Sequence, residues 1–185
     1  MALRDLLRQP PPRTGRVDWI GLRPGRGEAI VVVDRAEIVL DHGLRCPSGG
    51  PKDRAFAARP NPRGKRQVTA IQAEDLHTIA SCVGVPSVAP EQTRRNLVIS
   101  GLNLLACAGG ELWIGDSAGS VPPARLQVTG WCTPCEKMNA SVGPGGFQAM
   151  RGRGGLTLRI LQGGLIRVGD PVHLVFPESP DGPQE

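Results

Sequence analysis

The sequence predicts a mainly β protein, folded as a closed or nearly closed β-barrel with a few short helices. Gly and Pro are frequent, at 25 and 18 of 185 residues, and they are spread along the chain without forming a repeat. Short apolar runs lie between these turn residues, which is typical of many short strands rather than of a helical bundle. Because aromatic residues make up only 3% of the chain, the core must consist of Val, Ile, Leu and Ala.

The strand candidates follow one another along most of the chain. Each is a short apolar run, often rich in β-branched residues or alternating with polar ones. We expect two hairpins among them, one turning at Asp34-Arg35 and the other across Gln162-Gly163-Gly164. In chain order the candidates are residues 17–22, 28–33, 36–40, 66–71, 97–99, 111–114, 125–131, 156–161, 165–168 and 172–176.

The remaining segments predict short helices and two long loops. Residues 73–80 predict a helix, because Glu74 and Asp75 stand in its first turn, where the helix dipole favours carboxylates. Residues 103–107 predict a single helical turn. We expect a long functional loop over residues 41–65 and a flexible, glycine-rich loop over residues 141–155.

The expected organisation is one domain over residues 16–176. Residues 1–15 are interpreted as a flexible N-terminal arm, and the acidic, Pro-rich residues 177–185 as a disordered tail. The chain shows no signal peptide, and no apolar run approaches the roughly 20 residues of a membrane span. Its five cysteines are an odd number, which then indicates a reducing cytoplasm and free thiols.

The positive charge of the chain points to an anionic ligand. The formal net charge is +5 and the pI is about 9.3. Nucleic acid is disfavoured, because such proteins more often carry a continuous basic stripe interleaved with aromatic residues. The chain also lacks the G-x-S-x-G motif of many serine hydrolases and the G-x-x-x-x-G-K-[ST] motif of phosphate-binding loops.

Cys132-Thr133-Pro134-Cys135 is the first segment with chemical potential, and several interpretations of it stay open. The two thiols can be ordinary half-buried cysteines, or a redox pair, although no long helix follows as in thioredoxin-like proteins. Structural zinc is disfavoured, because the other cysteines and the three histidines are scattered. One thiolate can also be the ligand of a soft metal, in a basic environment to which Lys137 contributes.

Three basic segments are candidates for holding the anion. In Arg94-Arg95-Asn96 the arginines can grip a phosphate or carboxylate with paired hydrogen bonds, and the amide of Asn96 can both donate and accept. Lys65-Arg66 is a basic turn that enters a strand. In Arg151-Gly152-Arg153 the intervening glycine lets the backbone approach an anion closely. Each segment can equally be a solvated charged surface.

Taken together, these segments resemble the MOSC family, named after the C-terminal domain of molybdenum cofactor sulfurases. The similar segments occur in the order of the family and cover about residues 16–176. They are Gly50-Pro51-Lys52-Asp53-Arg54-Ala55-Phe56, which is similar to G-x-x-x-D-R-x-[FY], then Lys65 to Ile71 with Glu74 and Leu76, Arg94 to Val98 with Gly101-Leu102, the Cys-x-x-Cys segment, and Ile166 to Val172.

The resemblance implies a β-barrel that binds a pterin-type molybdenum cofactor or carries sulfur for it. It assigns the role of metal ligand and catalytic thiol to Cys135, because the family cysteine follows a strand and a Pro or Arg, with Cys132 as the second choice. Arg94 and Asn96 would hold the pterin phosphate or ring, with Lys65 and Arg66 as further phosphate contacts. Pyridoxal phosphate binding is another property that the resemblance implies.

Three functional hypotheses follow from the residues and the resemblance. In the first, the protein binds the molybdenum cofactor through Cys135 and reduces N-hydroxylated compounds with the help of a redox partner. In the second, it is a non-catalytic carrier that passes sulfur or the cofactor to a partner protein. The third is a basic β-barrel that binds RNA, which the lack of stacking aromatic residues disfavours.

Overall fold

The computed structural model describes Leu6 and residues 14–57, 59–116 and 122–177. The predicted arm therefore falls mostly outside the described residues, although Gly15 already belongs to the first strand. The predicted tail also lies outside them, except for Pro177.

Seven strands close into a barrel, which confirms the predicted fold class. Around the barrel the order is β1, β6, β5, β9, β8, β7 and β11, and β11 pairs again with β1. All neighbours are antiparallel except β5 and β6, which are parallel. The bounds are β1 Gly15–Leu22, β5 Val68–Gln72, β6 Leu97–Ser100, β7 Glu111–Ile114, β8 Ala124–Trp131, β9 Leu156–Gln162 and β11 Pro171–Val175.

The remaining strands lie beside the barrel. The strand β2 (Val31–Val33) extends the sheet beyond β1, while β3 (Arg35–Val39), β4 (Gly43–Arg45) and β10 (Gly164–Arg167) form a separate three-stranded sheet. The helices are short: α1 Ala73–Val83, α2 Pro90–Thr93, a 3-10 helix Leu104–Cys107, α3 Met138–Ser141 and α4 Gly146–Ala149. No helix in the described part of the chain is long and apolar enough to cross a membrane.

The barrel interior is filled by alternating aliphatic side chains. Along β8 the buried residues are Ala124, Leu126 and Val128, separated by partly exposed polar residues, as expected for a strand with one face on a core. Each fully buried Leu or Ile contributes about 1.5–3 kcal/mol relative to an exposed one. The aliphatic core that the low aromatic content predicts is therefore present.

A second apolar cluster covers the outer face of β5 and β6. Ile71 and Val98 point away from the barrel interior and pack with Ile79 of α1 and with Met138 and Met150. Both faces of these two strands are therefore buried, which explains why their sequences are continuously apolar rather than alternating. The helices form an outer layer on this side of the barrel.

Both predicted hairpins are wrong, although their strands exist. The strand β2 pairs with β1, whereas β3 pairs with β4 and β10. Likewise β9 pairs with β5 and β8, not with β10. Asp34 and Gly163 are single residues at which the chain leaves one sheet and enters the other, and a side chain at Gly163 would approach the Ile38 carbonyl oxygen to 2.6 Å.

The two predicted loops are also more ordered than expected. The stretch 41–65 contains β4, and residues 141–155 contain the end of α3, the whole of α4 and the fully buried Met150. The sequence does not predict these elements, because single buried apolar side chains such as Met150 hold them in place and no periodic apolar pattern marks them.

Candidate functional site

Three strand ends meet at one edge of the barrel and bring basic residues together. Because β1 is antiparallel to β6 and β5 is parallel to β6, the end of β1 lies beside the starts of β5 and β6. Arg23 directly follows β1, Arg66 precedes β5, and Arg94 and Arg95 precede β6. The chain therefore concentrates positive charge at this edge.

These side chains line a pocket of about 310 Å³, which we call the cationic pocket. Its lining includes six arginines, one lysine and the exposed Cys135, and it includes no Asp or Glu from the described residues. Convergent guanidinium groups without a neutralising carboxylate in the lining favour a phosphate or carboxylate ligand. The cationic residues are Arg23, Arg26, Arg54, Arg66, Arg94, Arg95 and Lys137.

Arg23 is held by a buried hydrogen-bond network. Its Nε and Nη2 donate to the two carboxylate oxygens of Asp53 at 3.0 and 3.1 Å, and Nη2 also donates to Oδ1 of Asn96 at 2.9 Å. Nδ2 of Asn96 donates to Oδ2 of Asp53 at 2.7 Å and to the Gly21 carbonyl at 3.1 Å. With Thr69 donating to Oδ1 as well, the buried Asn96 amide braces Arg23 from beneath the pocket.

The charge state of Asp53 follows from the same network. Burial alone raises the pKa of Asp53, but the hydrogen bonds and charge of Arg23, with the backbone N–H groups of Ala55 and Arg23, outweigh it. The pKa of Asp53 is therefore lower than usual, and the group is ionised. Asp53 and Arg23 form a buried ion pair that fixes the inner wall of the cationic pocket.

Arg95 connects the pocket to the segment that carries the cysteines. Its guanidinium donates from Nε to the Gly154 carbonyl at 2.7 Å, from Nη1 to Thr93 at 2.8 Å and from Nη2 to Cys132 at 3.1 Å. The pKa of Arg95 is lowered, mainly by burial. The interaction with Cys132 raises this pKa, and the neighbouring charge of Arg66 lowers it. The Cys132 carbonyl is therefore attached to the strand edge by a buried cation.

Arg94 reaches the pocket by an unusual backbone conformation. It caps α2 in the left-handed region, with a φ of 56°, so that its carbonyl oxygen accepts from Nη1 of Arg23 at 3.1 Å. Its half-buried side chain lines the cationic pocket. The two adjacent arginines therefore differ: Arg95 is buried and bonds backbone carbonyls, whereas Arg94 is half-buried and its side chain lines the pocket.

The five cysteines are free and differ in environment. Cys135 is exposed and lines the cationic pocket, whereas Cys132 is buried and its Sγ accepts a hydrogen bond from Nη2 of Arg66 at 3.3 Å. Burial raises the pKa of Cys107 to about 11, so that thiol is protonated at neutral pH. Because Cys135 is exposed and lines the cationic pocket, a ligand in that pocket can reach this residue.

Lys65, Arg151 and Arg153, which the sequence also predicts as binding residues, are not in the described lining of the cationic pocket. Lys65 is exposed and contributes its carbonyl oxygen to a bond from Thr129, and its side chain is not in the pocket lining. Arg153 donates to Oδ1 of Asp75 in α1 at 2.7 Å, and Arg151 donates to Gln148 at 3.2 Å beside a different cavity. Of the predicted set, the structure brings together Cys135, Arg66 and Arg94; the binding role of each residue stays a prediction.

Sequence reasoning missed Arg23 and Arg26. They stand in Arg23-Pro24-Gly25-Arg26-Gly27, directly after a predicted strand, and this alternation of Arg and Gly resembles the noted run at residues 151–155. Arg23 and Arg26 could therefore have been predicted from a basic Pro-Gly turn that directly follows a predicted strand. The charged partner of Asp53 is also Arg23, which stands thirty positions away in the sequence.

The comparisons with known proteins agree with this architecture. The YuaD protein from Bacillus subtilis is similar in structure, with a TM-score of 0.72 and 18% identity, over 90% of this chain and 98% of that chain. YiiM from Geobacillus stearothermophilus gives a TM-score of 0.63 and 17% identity, over 87% and 75% of the two chains. YiiM from Escherichia coli gives 0.60 and 21%, over 91% and 72%.

No curated protein matches this sequence. The family model described as the MOSC domain matches residues 48–173, which is more than half of the chain and includes Cys135, Arg66 and Arg94. The chain therefore belongs to the MOSC domain family.

Proposed function

We propose that this protein binds a pterin-type molybdenum cofactor in the cationic pocket, with the Cys135 thiolate as the protein ligand of the metal. One observation supports this above the others: an exposed thiol stands in a pocket lined by seven cationic side chains and by no carboxylate of the described residues. A phosphate-bearing cofactor with a thiolate-accepting metal matches both parts of that donor set.

The residues fit a metal that arrives inside a larger ligand. Among the described residues, no group of three or more His, Cys, Asp or Glu side chains could hold a metal ion. A metal next to Cys135 would therefore take its other ligands from the cofactor rather than from the chain. When bound, the cofactor would supply two-electron redox chemistry at molybdenum.

The chain itself would bind and orient the ligand. The exposed Arg66 and Lys137 and the half-buried Arg94 have guanidinium or ammonium groups available for phosphate oxygens. Arg23 and Arg95 are buried, and their described hydrogen bonds go to the protein, so they would hold the pocket in shape; the charge of Arg23 is balanced by Asp53, whereas Arg95 bonds only carbonyl oxygens. The pocket would thus combine fixed inner cations with movable outer ones.

As an enzyme, the protein would reduce N-hydroxylated compounds. Cleavage of the N–O bond takes up two electrons and two protons and releases the amine and water, so a redox partner protein must supply the electrons. A reducing cytoplasm would keep Cys135 as a free thiol for this role.

A second function, a non-catalytic carrier of sulfur or of the cofactor, is favoured by a different observation. The described lining of the cationic pocket contains no His, Asp or Glu. Proton delivery during N–O cleavage usually depends on such groups. A carrier needs none of them, since it only holds its cargo until a partner protein accepts it.

The cofactor proposal is tested by purifying the protein from a host that makes the cofactor and measuring bound molybdenum and released pterin. We expect both in the wild type, loss of molybdenum in Cys135→Ser and retention in Cys132→Ser. Cys82→Ser is the matched control, because Cys82 is exposed on α1 outside the cationic pocket. Fully folded wild type without molybdenum or pterin would refute the proposal, and loss in Cys132→Ser alone would move the ligand role to Cys132.

The loaded protein then separates the enzyme from the carrier. An enzyme reduces an N-hydroxylated aromatic compound when a chemical electron donor is added, at a rate that Cys135→Ser abolishes. A carrier shows no turnover but loses its molybdenum or sulfur to an acceptor protein.

A further inference from the structure

A second cavity is lined in part by Cys132, Thr133 and Pro134 of the Cys132–Cys135 segment. It has a volume of about 270 Å³, and its lining includes Leu105, Trp131, Cys132 and Pro134, together with glycines 152, 154 and 155. We call it the apolar cavity. It shares this four-residue segment with the cationic pocket, which Cys135 lines.

The size and surface of the apolar cavity suit one aromatic ring. Trp131 is 51% exposed and Leu105 is 42% exposed, so two of the large apolar side chains that are exposed among the described residues line one cavity. The indole offers a flat face for offset stacking with a ring. Cavities of about 150 Å³ already hold benzene, whereas drug-sized ligands need about 300–1,000 Å³. A single substituted ring therefore fits.

The charge at the apolar cavity selects the substituent. Arg151 is its charged lining residue, and no carboxylate from the described part of the chain lines it. The guanidinium of Arg151 is exposed and donates to the neutral side-chain amide of Gln148 at 3.2 Å, so its charge is not neutralised by that contact. An anionic substituent is favoured here and a cationic one is repelled.

We propose that the apolar cavity is a binding site for a small aromatic anion, with the ring against Trp131 and the anionic group toward Arg151. The site stands on its own lining and does not depend on the cofactor. Its interpretation as the substrate site rests on the proposed function, and on the Cys132–Cys135 segment, which contributes lining residues to both the apolar cavity and the cationic pocket. Arg66 links the two linings, because it lines the cationic pocket and donates to Sγ of Cys132, which lines the apolar cavity.

The test is an NMR titration of the full chain that follows the indole N–H signals of Trp19, Trp113 and Trp131. Benzoate is the probe, and benzyl alcohol and benzylammonium are its neutral and cationic counterparts. We expect benzoate to shift the Trp131 signal in a saturable way, with weaker binding of the alcohol and none of the ammonium. Leu105→Asp should abolish the shift, since it places a carboxylate in the apolar cavity.

The arginine is tested separately. Arg151→Gln should weaken benzoate binding about tenfold, toward the affinity of benzyl alcohol, since about 1.4 kcal/mol corresponds to a factor of ten. Arg167→Gln is the matched control, because Arg167 is exposed on β10 and lines neither cavity, and it should leave binding unchanged.

Several results would overturn this inference. They are an unmoved Trp131 signal, equal shifts at all three tryptophans, binding of benzylammonium as tight as that of benzoate, or binding that survives Leu105→Asp. Cys135→Ser should still bind benzoate. If the purified wild type contains no molybdenum but binds benzoate, only the cofactor proposal is refuted. If the wild type contains molybdenum but does not bind benzoate, only the present inference is refuted.

Discussion

At the scale of single residues, the arginines of the cationic pocket divide into buried supports and exposed contacts. Arg23 and Arg95 have exposed fractions of 4% and 3%, and their guanidinium groups bond mainly to protein oxygens. Arg66 and Lys137 are exposed at the same pocket. Because buried charges are costly unless they are hydrogen-bonded, each support should matter more for stability than each exposed contact.

Arg95→Gln should lower the free energy of unfolding by roughly 2–4 kcal/mol, because buried carbonyl oxygens of Thr93, Cys132 and Gly154 lose a charged donor. Arg94→Gln is the control, since its described side-chain bond is a long one of 3.4 Å, and it should cost less than about 1 kcal/mol. Urea denaturation measures both. Equal costs would show that Arg95 does not hold the cysteine segment.

The ion pair between Arg23 and Asp53 should make stability depend on pH in acid. Because the pKa of Asp53 is lower in the folded chain, the unfolded chain binds more protons in the window between the two values. The free energy of unfolding should therefore fall as the pH is lowered below about 4, where an unfolded Asp begins to be protonated.

Asp53→Asn isolates this contribution. At neutral pH it should cost about 3–5 kcal/mol, because the buried Arg23 loses its counter-charge. The difference in unfolding free energy between the wild type and Asp53→Asn should then narrow as the pH falls below about 4. Asp34→Asn, at an exposed carboxylate, is the control. A difference that stays constant with pH would contradict the pairing.

The sequence predicts some of the site residues better than others, for a physical reason. Cys135, Arg66 and Arg94 lie in compact segments whose chemistry is visible locally. Arg23 and Asn96 are 73 positions apart, and they meet because two antiparallel strands place them at one edge. The role of Asn96 as a buried brace depends on that pairing, which a local pattern does not contain.

At the scale of elements, the cysteine segment is held by the glycine-rich stretch that precedes β9. The N–H of Cys132 donates to the Gly155 carbonyl at 2.8 Å, and Arg95 bonds both Cys132 and Gly154. Gly155 has a φ of 84°, and an added Cβ would collide with the carbonyl oxygen of Ala70 in β5. The glycine therefore allows the segment to pack closely against the barrel.

Gly155→Ala should lower the free energy of unfolding by about 3 kcal/mol or more, from the left-handed backbone and the collision with β5 together. Gly152→Ala is the matched control, because Gly152 has a φ of 74° but no atom within 4 Å of an added Cβ. It should cost about 1–2 kcal/mol, from the backbone alone. Thermal or urea unfolding compares them, and equal losses would contradict the close packing.

Elements also show where local patterns stop being informative. Alternation and β-branched residues indicate that residues 31–33 and 35–39 are strands, and both are. These two strands do not pair with each other, because β2 pairs with β1 and β3 pairs with β10. The short turn between them therefore predicts a hairpin that does not form. Similarly, α4 is fixed by the packing of Ala149 and Met150 in the outer layer rather than by helical periodicity.

At the scale of the whole molecule, charge is unevenly placed. The net charge is only +5, yet seven cationic side chains line one pocket of about 310 Å³. No Asp or Glu of the described residues lines this pocket, and Asp53 is buried against Arg23. Composition predicts an anionic ligand, whereas the convergence of the cations on Cys135 follows from the barrel topology.

This convergence is tested most directly by the pterin content of a charge-reversed pocket. Arg66→Glu with Arg94→Glu removes two outer cations, and Arg63→Glu with Arg167→Glu makes the same change in net charge at exposed positions outside the pocket. Both proteins are purified from a host that makes the cofactor, and their melting temperatures confirm folding. We expect the pterin and molybdenum contents of the pocket variant to be at most about one tenth of the wild-type contents. A tenfold weaker affinity corresponds to about 1.4 kcal/mol of binding free energy. The control should keep the wild-type contents. A folded pocket variant with wild-type pterin content would contradict the account.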